Sequence, residues 1–96
     1  MSHPRTRLDE LIHQPVRFSL MAALARAEEL EFRFLREALG VSDSVLSRQA
    51  STLEEAGYVR IRKGFVGKRP RTWMSLTEIG RKTFKEHVEA LREIAG

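Results

Sequence analysis

Gly40-Val-Ser-Asp-Ser-Val-Leu-Ser-Arg-Gln-Ala-Ser-Thr-Leu-Glu-Glu-Ala-Gly57 decides how this chain is read. The glycine at each end is the residue that tolerates the left-handed backbone on which helices commonly stop. Just inside the first glycine, Ser42 is a good N-cap. Asp43 then places negative charge at the positive end of the helix that follows. The stretch therefore predicts a helix over 43–56, starting one or two residues after another helix has stopped at Gly40. Upstream, Phe34, Leu35, Ala38 and Leu39 lie at helical spacing. Two helices joined by so tight a turn form a helix-turn-helix.

With Leu46, Ala50 and Leu53 as the buried seam of the second of these helices, the opposite face carries Ser44, Ser47, Arg48 and Ser51, with Val45 and Thr52 at its margins. Short hydroxyls let a helix enter a major groove and exchange hydrogen bonds with base edges and phosphates. Arg forks onto guanine, and Val touches a thymine methyl. The same face taken alone reads equally well as solvated serines. The next segment separates the two readings. Arg60-Ile-Arg-Lys-Gly-Phe-Val-Gly-Lys-Arg-Pro-Arg71 holds six of the chain's 17 Lys and Arg and no acid. It alternates apolar and basic residues, breaks at Gly64 and Gly67, and resumes at Thr72-Trp-Met-Ser-Leu76. This predicts a hairpin of strands 58–65 and 72–76 whose tip concentrates positive charge. Such a tip suits a polyanion, double-stranded DNA in the first place.

Before the helix-turn-helix, Leu8, Leu11 and Ile12 suggest a short first helix. Pro15 suits the first turn of a second, which Val16, Leu20, Met21 and Leu24 make apolar on nearly every side. Glu29–Phe32 is a short link able to form a minor strand. Thr77 caps a last helix over 78–95, where Phe84, Val88, Leu91 and Ala95 recur at helical spacing, widened by Ile79 and Ile94. The expected fold is α+β, mainly α, in the order α-α-(β)-α-α-β-β-α. Residues 1–96 are expected to form a single domain, with 1–6 frayed. A stripe as long as that of the last helix exceeds what so small a domain covers. Residues 78–95 are therefore expected to dimerise through Phe84, Val88, Leu91 and Ala95, with Leu8, Leu11 and Ile12 alongside.

Three pieces carry a family resemblance: Leu46-Ser-Arg-Gln-Ala-Ser-Thr-Leu-Glu-Glu-Ala-Gly-Tyr-Val59, Lys68-Arg-Pro-Arg-Thr-Trp73, and Ser75-Leu-Thr-Glu-Ile-Gly-Arg81. Together with Leu11-Ile-His-Gln-Pro-Val-Arg17 and Leu20-Met-Ala-Ala-Leu24, they resemble the small winged-helix transcriptional regulators allied to the MarR type. The resemblance covers about residues 8–92. It implies a cytoplasmic homodimer on a pseudo-palindromic operator, with one recognition helix per half-site. Carried over by position, it implies groove or phosphate contacts from Ser44, Ser47, Arg48, Gln49, Ser51 and Thr52. Wing contacts fall to Lys68, Arg69 and Arg71. At Gln49, where relatives often carry His, no histidine switch is expected. Longer MarR-type repressors build a ligand pocket from extra terminal helices that these 96 residues do not supply, and no small-molecule effector follows from the resemblance.

Other chemistries find little support. The chain has no cysteine, hence no disulfide, thiolate metal site or cysteine nucleophile. His3, His13 and His87 are far apart in sequence and read as surface or interface residues, so neither a metal nor a cofactor is expected. No nucleophile, phosphate loop or paired-carboxylate motif points to an enzyme. Gly64-Phe-Val-Gly67 lies within a hairpin and does not open a helix. No apolar run is long enough to span a membrane, and no signal peptide opens the chain. Trp73 reads as a packing anchor in preference to a stacking platform. The rival function is a winged-helix module for protein assembly, its basic wing merely solvated.

Overall fold

The computed structural model describes residues 3–4 and 8–96. Along the chain run α1 (Glu10–His13), α2 (Pro15–Ala25), β1 (Leu30–Glu31), α3 (Phe32–Leu39), α4 (Asp43–Glu55), β2 (Val59–Val66), β3 (Arg69–Leu76) and α5 (Glu78–Ala95). This is the mainly helical order expected from the sequence, with a small antiparallel sheet arranged β1-β3-β2. Apart from His3 and Pro4, the stretch expected to fray lies outside the described residues.

Each helix start has a local cause. The Asp9 carboxylate accepts from the Leu11 and Ile12 amides, Gln14 accepts from Arg17 N–H ahead of Pro15, and Thr77 accepts from Gly80 N–H. Gly40 and Gly57 end α3 and α4 with φ of 65° and 82°. The hairpin is longer and tighter than predicted. Its strands run to Val66 and restart at Arg69, leaving only Gly67 and Lys68 as the turn. Gly67, with φ of 63°, supplies the left-handed residue that two-residue hairpin turns need. Pro70 fits within the strand because it lies beyond the two-residue β1. There one side of β3 is an open edge.

The core gathers Ile12, Leu20, Met21, Leu24, Leu35, Leu46, Ala50, Leu53, Val59 and Met74. Each large side chain among them is worth about 1.5–3 kcal/mol on burial. The seam expected on α4 is the buried one. Ile12, expected at a dimer interface, is instead fully buried within the protomer, because the short α1 folds back onto α2. On α5 the inward line is Gly80, His87 and Ala90, so the predicted apolar stripe lies on its flank. Phe84 rests half-buried on Phe18 at 5.5 Å, Val88 and Leu91 are half-buried, and Ala95 is exposed.

The base of the hairpin is tied to both chain ends. Tyr58 donates to the Asp9 carboxylate at 2.6 Å, and the Asp9 amide donates to Nδ1 of the buried His87 at 3.0 Å. The Tyr58–Asp9 hydrogen bond is the main reason the Tyr58 phenol titrates above its ordinary range. Gly80 sits so close beneath Tyr58 that a Cβ there would lie 2.0 Å from the Tyr58 carbonyl oxygen. Any side chain at 80 would push α5 off the hairpin.

Candidate nucleic-acid interface

The core seam of α4 turns Ser44, Ser47, Arg48 and Ser51 outward, all exposed. The start of the helix is held twice. Ser42 Oγ accepts from the Val45 amide at 3.2 Å, and Arg36 of α3 pairs with Asp43 at 2.8 Å, locking the turn between the two helices. Val45 and Thr52 sit at the margins, half-buried, and the Thr52 hydroxyl donates to the Arg48 carbonyl at 3.1 Å. Its proton is therefore spent within the helix, and only its acceptor capacity remains.

Gln49 is on a different flank from the other predicted contacts. It is half-buried toward α2, and its side-chain oxygen accepts from the Arg17 guanidinium at 2.7 Å. Arg17 also donates to the Leu11 carbonyl, so it ties the end of α1 to α4. Because Arg has no acceptor, this pairing fixes the amide orientation and leaves the Gln49 N–H groups and one lone pair of its oxygen for an outside partner.

On the wing, Lys68 occupies the turn and Arg69 opens β3, both exposed. Arg71 departs from expectation. It is half-buried and paired with Glu31 of β1 at 2.8 Å, so its charge is neutralised within the sheet. Arg62 behaves similarly, forking onto Glu29 at 2.7 and 3.0 Å and lying 4.0 Å over the Trp73 ring. The guanidinium holds the Glu29 carboxyl below its usual range. With one face covered by Arg62 and its edge against Gly64, Trp73 is a packing anchor rather than an open stacking surface.

Lys63 is the residue that the sequence reading left unassigned. It is exposed and lines a cleft of about 410 Å³ between α4 and the wing, together with Ser47, Ser51 and Thr72. Strand alternation carried the signal, since Lys63 shares a face with Ile61, which turns toward the core. Among the described residues, no acid pairs with Arg48, Lys63, Lys68 or Arg69. Ser47 and Ser51 of α4 and the unpaired Lys63 thus border one concave surface, with Lys68 and Arg69 exposed at the hairpin turn. That arrangement suits a phosphate backbone flanking a groove.

A family model described as a winged helix DNA-binding domain matches residues 16–95. The chain belongs to the winged helix DNA-binding domain family. An uncharacterized protein of Methanocaldococcus jannaschii is 29% identical over 86 residues, covering 90% of this chain and 94% of its own. A transcriptional regulator homologue from Pyrococcus horikoshii OT3 superposes with a TM-score of 0.89 at 23% identity, over 99% of this chain and 95% of that one. A regulator of the MarR family from Enterococcus faecalis V583 superposes at 0.74 and 23% identity, over 88% and 76%. The fold described above is therefore the winged helix that this regulator of the MarR family also adopts, and the family to which the chain belongs is one of DNA-binding domains. Among the described residues, no helix is long and apolar enough to cross a membrane. Nor do three or more His, Asp or Glu gather as metal ligands.

Proposed function

We propose that this winged helix is a cytoplasmic, sequence-specific regulator that binds double-stranded DNA as a homodimer on a pseudo-palindromic operator. The recognition helix α4 enters the major groove and the wing follows the backbone or minor groove. The observation that carries this reading is the cleft in which Ser47 and Ser51 of α4 face Lys63 of the wing, with Ser44 and Arg48 exposed on the same helix and the unpaired Lys68 and Arg69 exposed at the hairpin turn. Arg48 is the base-reading candidate, as the one cation on a face of small hydroxyls.

Dimerisation is supported by what the protomer leaves uncovered on α5. Val88 and Leu91 are only half-buried, Ile94 is 42% exposed, and Leu8 and Leu11 are half-buried nearby in sequence to the buried Ile12. A second copy packed there would remove these side chains from water and set the spacing of two half-sites. Selection of bound fragments from random duplex DNA tests the function directly. An inverted repeat recovered from the pool is the expected result. Binding that is indifferent to sequence and to salt would instead favour an assembly module. Light scattering tests the dimer, and a particle of 11.0 kDa at micromolar concentration would rule it out.

A further inference from the structure

The tip of the wing is apolar as well as basic. Phe65 is 72% exposed and Val66 51%. Strand register decides where they face. Ile61–Met74, Lys63–Thr72 and Phe65–Pro70 are alternate cross-strand pairs and so share one face of the hairpin. Met74 is buried in the core at the base, Lys63 and Thr72 line the cleft beside α4, and Phe65–Pro70 is the next pair outward. From the Ile61–Met74 pair to the Val66–Arg69 pair the strands advance five residues, about 16 Å. That is close to half of one DNA turn of about 34 Å, the step from a major groove to the neighbouring minor groove.

From this the geometry points to an apolar wedge: Phe65, backed by Pro70, inserts at a base step in the minor groove adjoining the one that α4 enters. Phe and Pro are side chains that unstack base steps in this way, kinking the duplex toward the major groove. The cations around them choose the occupant. Lys63, Lys68 and Arg69 have no acid partner among the described residues, so a second copy of the same tip would be repelled while phosphates on either groove wall are attracted. The inference rests on the DNA-binding reading above and adds to it a deformation of the DNA.

The test uses a duplex selected by the wild-type protein, labelled at its ends for energy transfer and carrying 2-aminopurine at successive flanking steps. Wild type should brighten 2-aminopurine at one step on the flank of each half-site and shorten the end-to-end distance. Phe65→Ala should lose both signals and bind roughly tenfold more weakly, the order of one lost base–aromatic contact. Its salt dependence and thermal unfolding should stay as in wild type. Phe65→Leu, which retains an apolar wedge, should keep part of both signals. Wild-type binding with no brightening at any flanking step overturns the wedge and leaves the DNA-binding reading intact. Brightening that survives Phe65→Ala overturns it equally. A change of oligomeric mass in Phe65→Ala, with the DNA signals unchanged, makes the tip a protein contact. If the wild-type protein retains no duplex at all, the DNA-binding reading fails and the wedge with it.

Discussion

The two ends of the β2–β3 hairpin carry the same kinds of residue and use them in opposite ways. At the base, Arg62 and Arg71 are bound to Glu29 and Glu31, Trp73 lies under Arg62, and Met74 and Val59 are in the core. At the tip, Lys68 and Arg69, and on the α4-facing side of the hairpin Lys63, have no acid partner among the described residues, and Phe65 and Val66 are largely in water. The reach of β1 accounts for the difference. Glu29 and Glu31 at that edge reach the face of the sheet that carries Arg62, Trp73 and Arg71, whereas Lys63 lies on the other face and Lys68 and Arg69 lie nearer the turn. Charge within reach of β1 belongs to the fold, and charge beyond it is free for a ligand.

The largest expected effect follows from that division. Replacing Lys63, Lys68 and Arg69 together by Ala should remove six phosphate contacts from a dimer. The slope of log affinity against log salt should then flatten by about 5. Replacing Arg62 and Arg71 by Ala should leave the slope nearly unchanged, because those charges are already compensated. Titrations of one duplex at several salt concentrations measure both. Equal flattening by the two variants would abolish the distinction between base and tip.

Folding stability should divide the hairpin the other way. Met74→Ala empties a fully buried site and should cost about 2–5 kcal/mol in urea unfolding. Phe65→Ala removes a larger side chain, yet one that is mostly in water, and should change stability by no more than about 0.5 kcal/mol. A substantial loss from Phe65→Ala would mean that the tip packs on something in the folded protein.

The recognition helix supplies a third reference point. Arg48→Ala should cost about 1–3 kcal/mol per site on a selected duplex and relax preference at one base position. If specific and random DNA weaken equally, Arg48 is a phosphate clamp and belongs with the tip cations.

How far the sequence could be read follows the same line between local and distant causes. Gly40, Ser42, Gly57 and Thr77 act within a turn of themselves, and the elements they bound were legible with errors of one or two residues. The extent of the hairpin was misjudged in its second strand, where Arg69-Pro-Arg71 was assigned to the tip and belongs to β3, and Gly64 is not a break. It serves instead as clearance for the Trp73 ring, which a Cβ would approach to 3.2 Å. Pairing between elements was not legible. Nothing in the run 60–71 says that Arg71 meets Glu31, and nothing in α4 says that Gln49 is held by Arg17. Ile12 and His87 were misread for a related reason. Apolar spacing marks the faces of a helix but does not say which neighbour will cover them, and a buried His breaks the apolar count on α5. Lys63 was within reach of strand alternation.

The smallest effect concerns pH and falls on the base alone. His87 is fully buried, and its Nδ1 accepts from the Asp9 amide, so in the neutral ring the proton sits on Nε2, a buried atom with no hydrogen-bond partner. Burial first, and then the nearby His13, lower its pKa below the ordinary value of 6.5, with the Asp9 carboxylate opposing. The groups facing it are His13 and Asp9 of the α1 segment, with the Tyr58 hydroxyl bound to Asp9 and Phe18 of α2 against the ring. Below pH 6.5 the unfolded chain takes up a proton at this position that the folded chain refuses. Stability should therefore fall as pH drops from about 6.5 toward the folded pKa, by at most about 1.4 kcal/mol per pH unit for this one group. Above that range His87 should contribute no pH dependence. Protonation at Nδ1 also turns an acceptor into a donor against the Asp9 amide, loosening the α1 segment from α5 and, through Asp9, the Tyr58 anchor of the hairpin. His87→Gln offers an acceptor that does not titrate and should flatten the stability profile between about pH 5 and 6.5. Urea unfolding at half-unit pH steps measures both proteins. A wild-type profile level across that range, or a His87→Gln profile as steep as wild type, would show that the proton is taken up elsewhere and that the base of the hairpin is no more sensitive to acid than its tip.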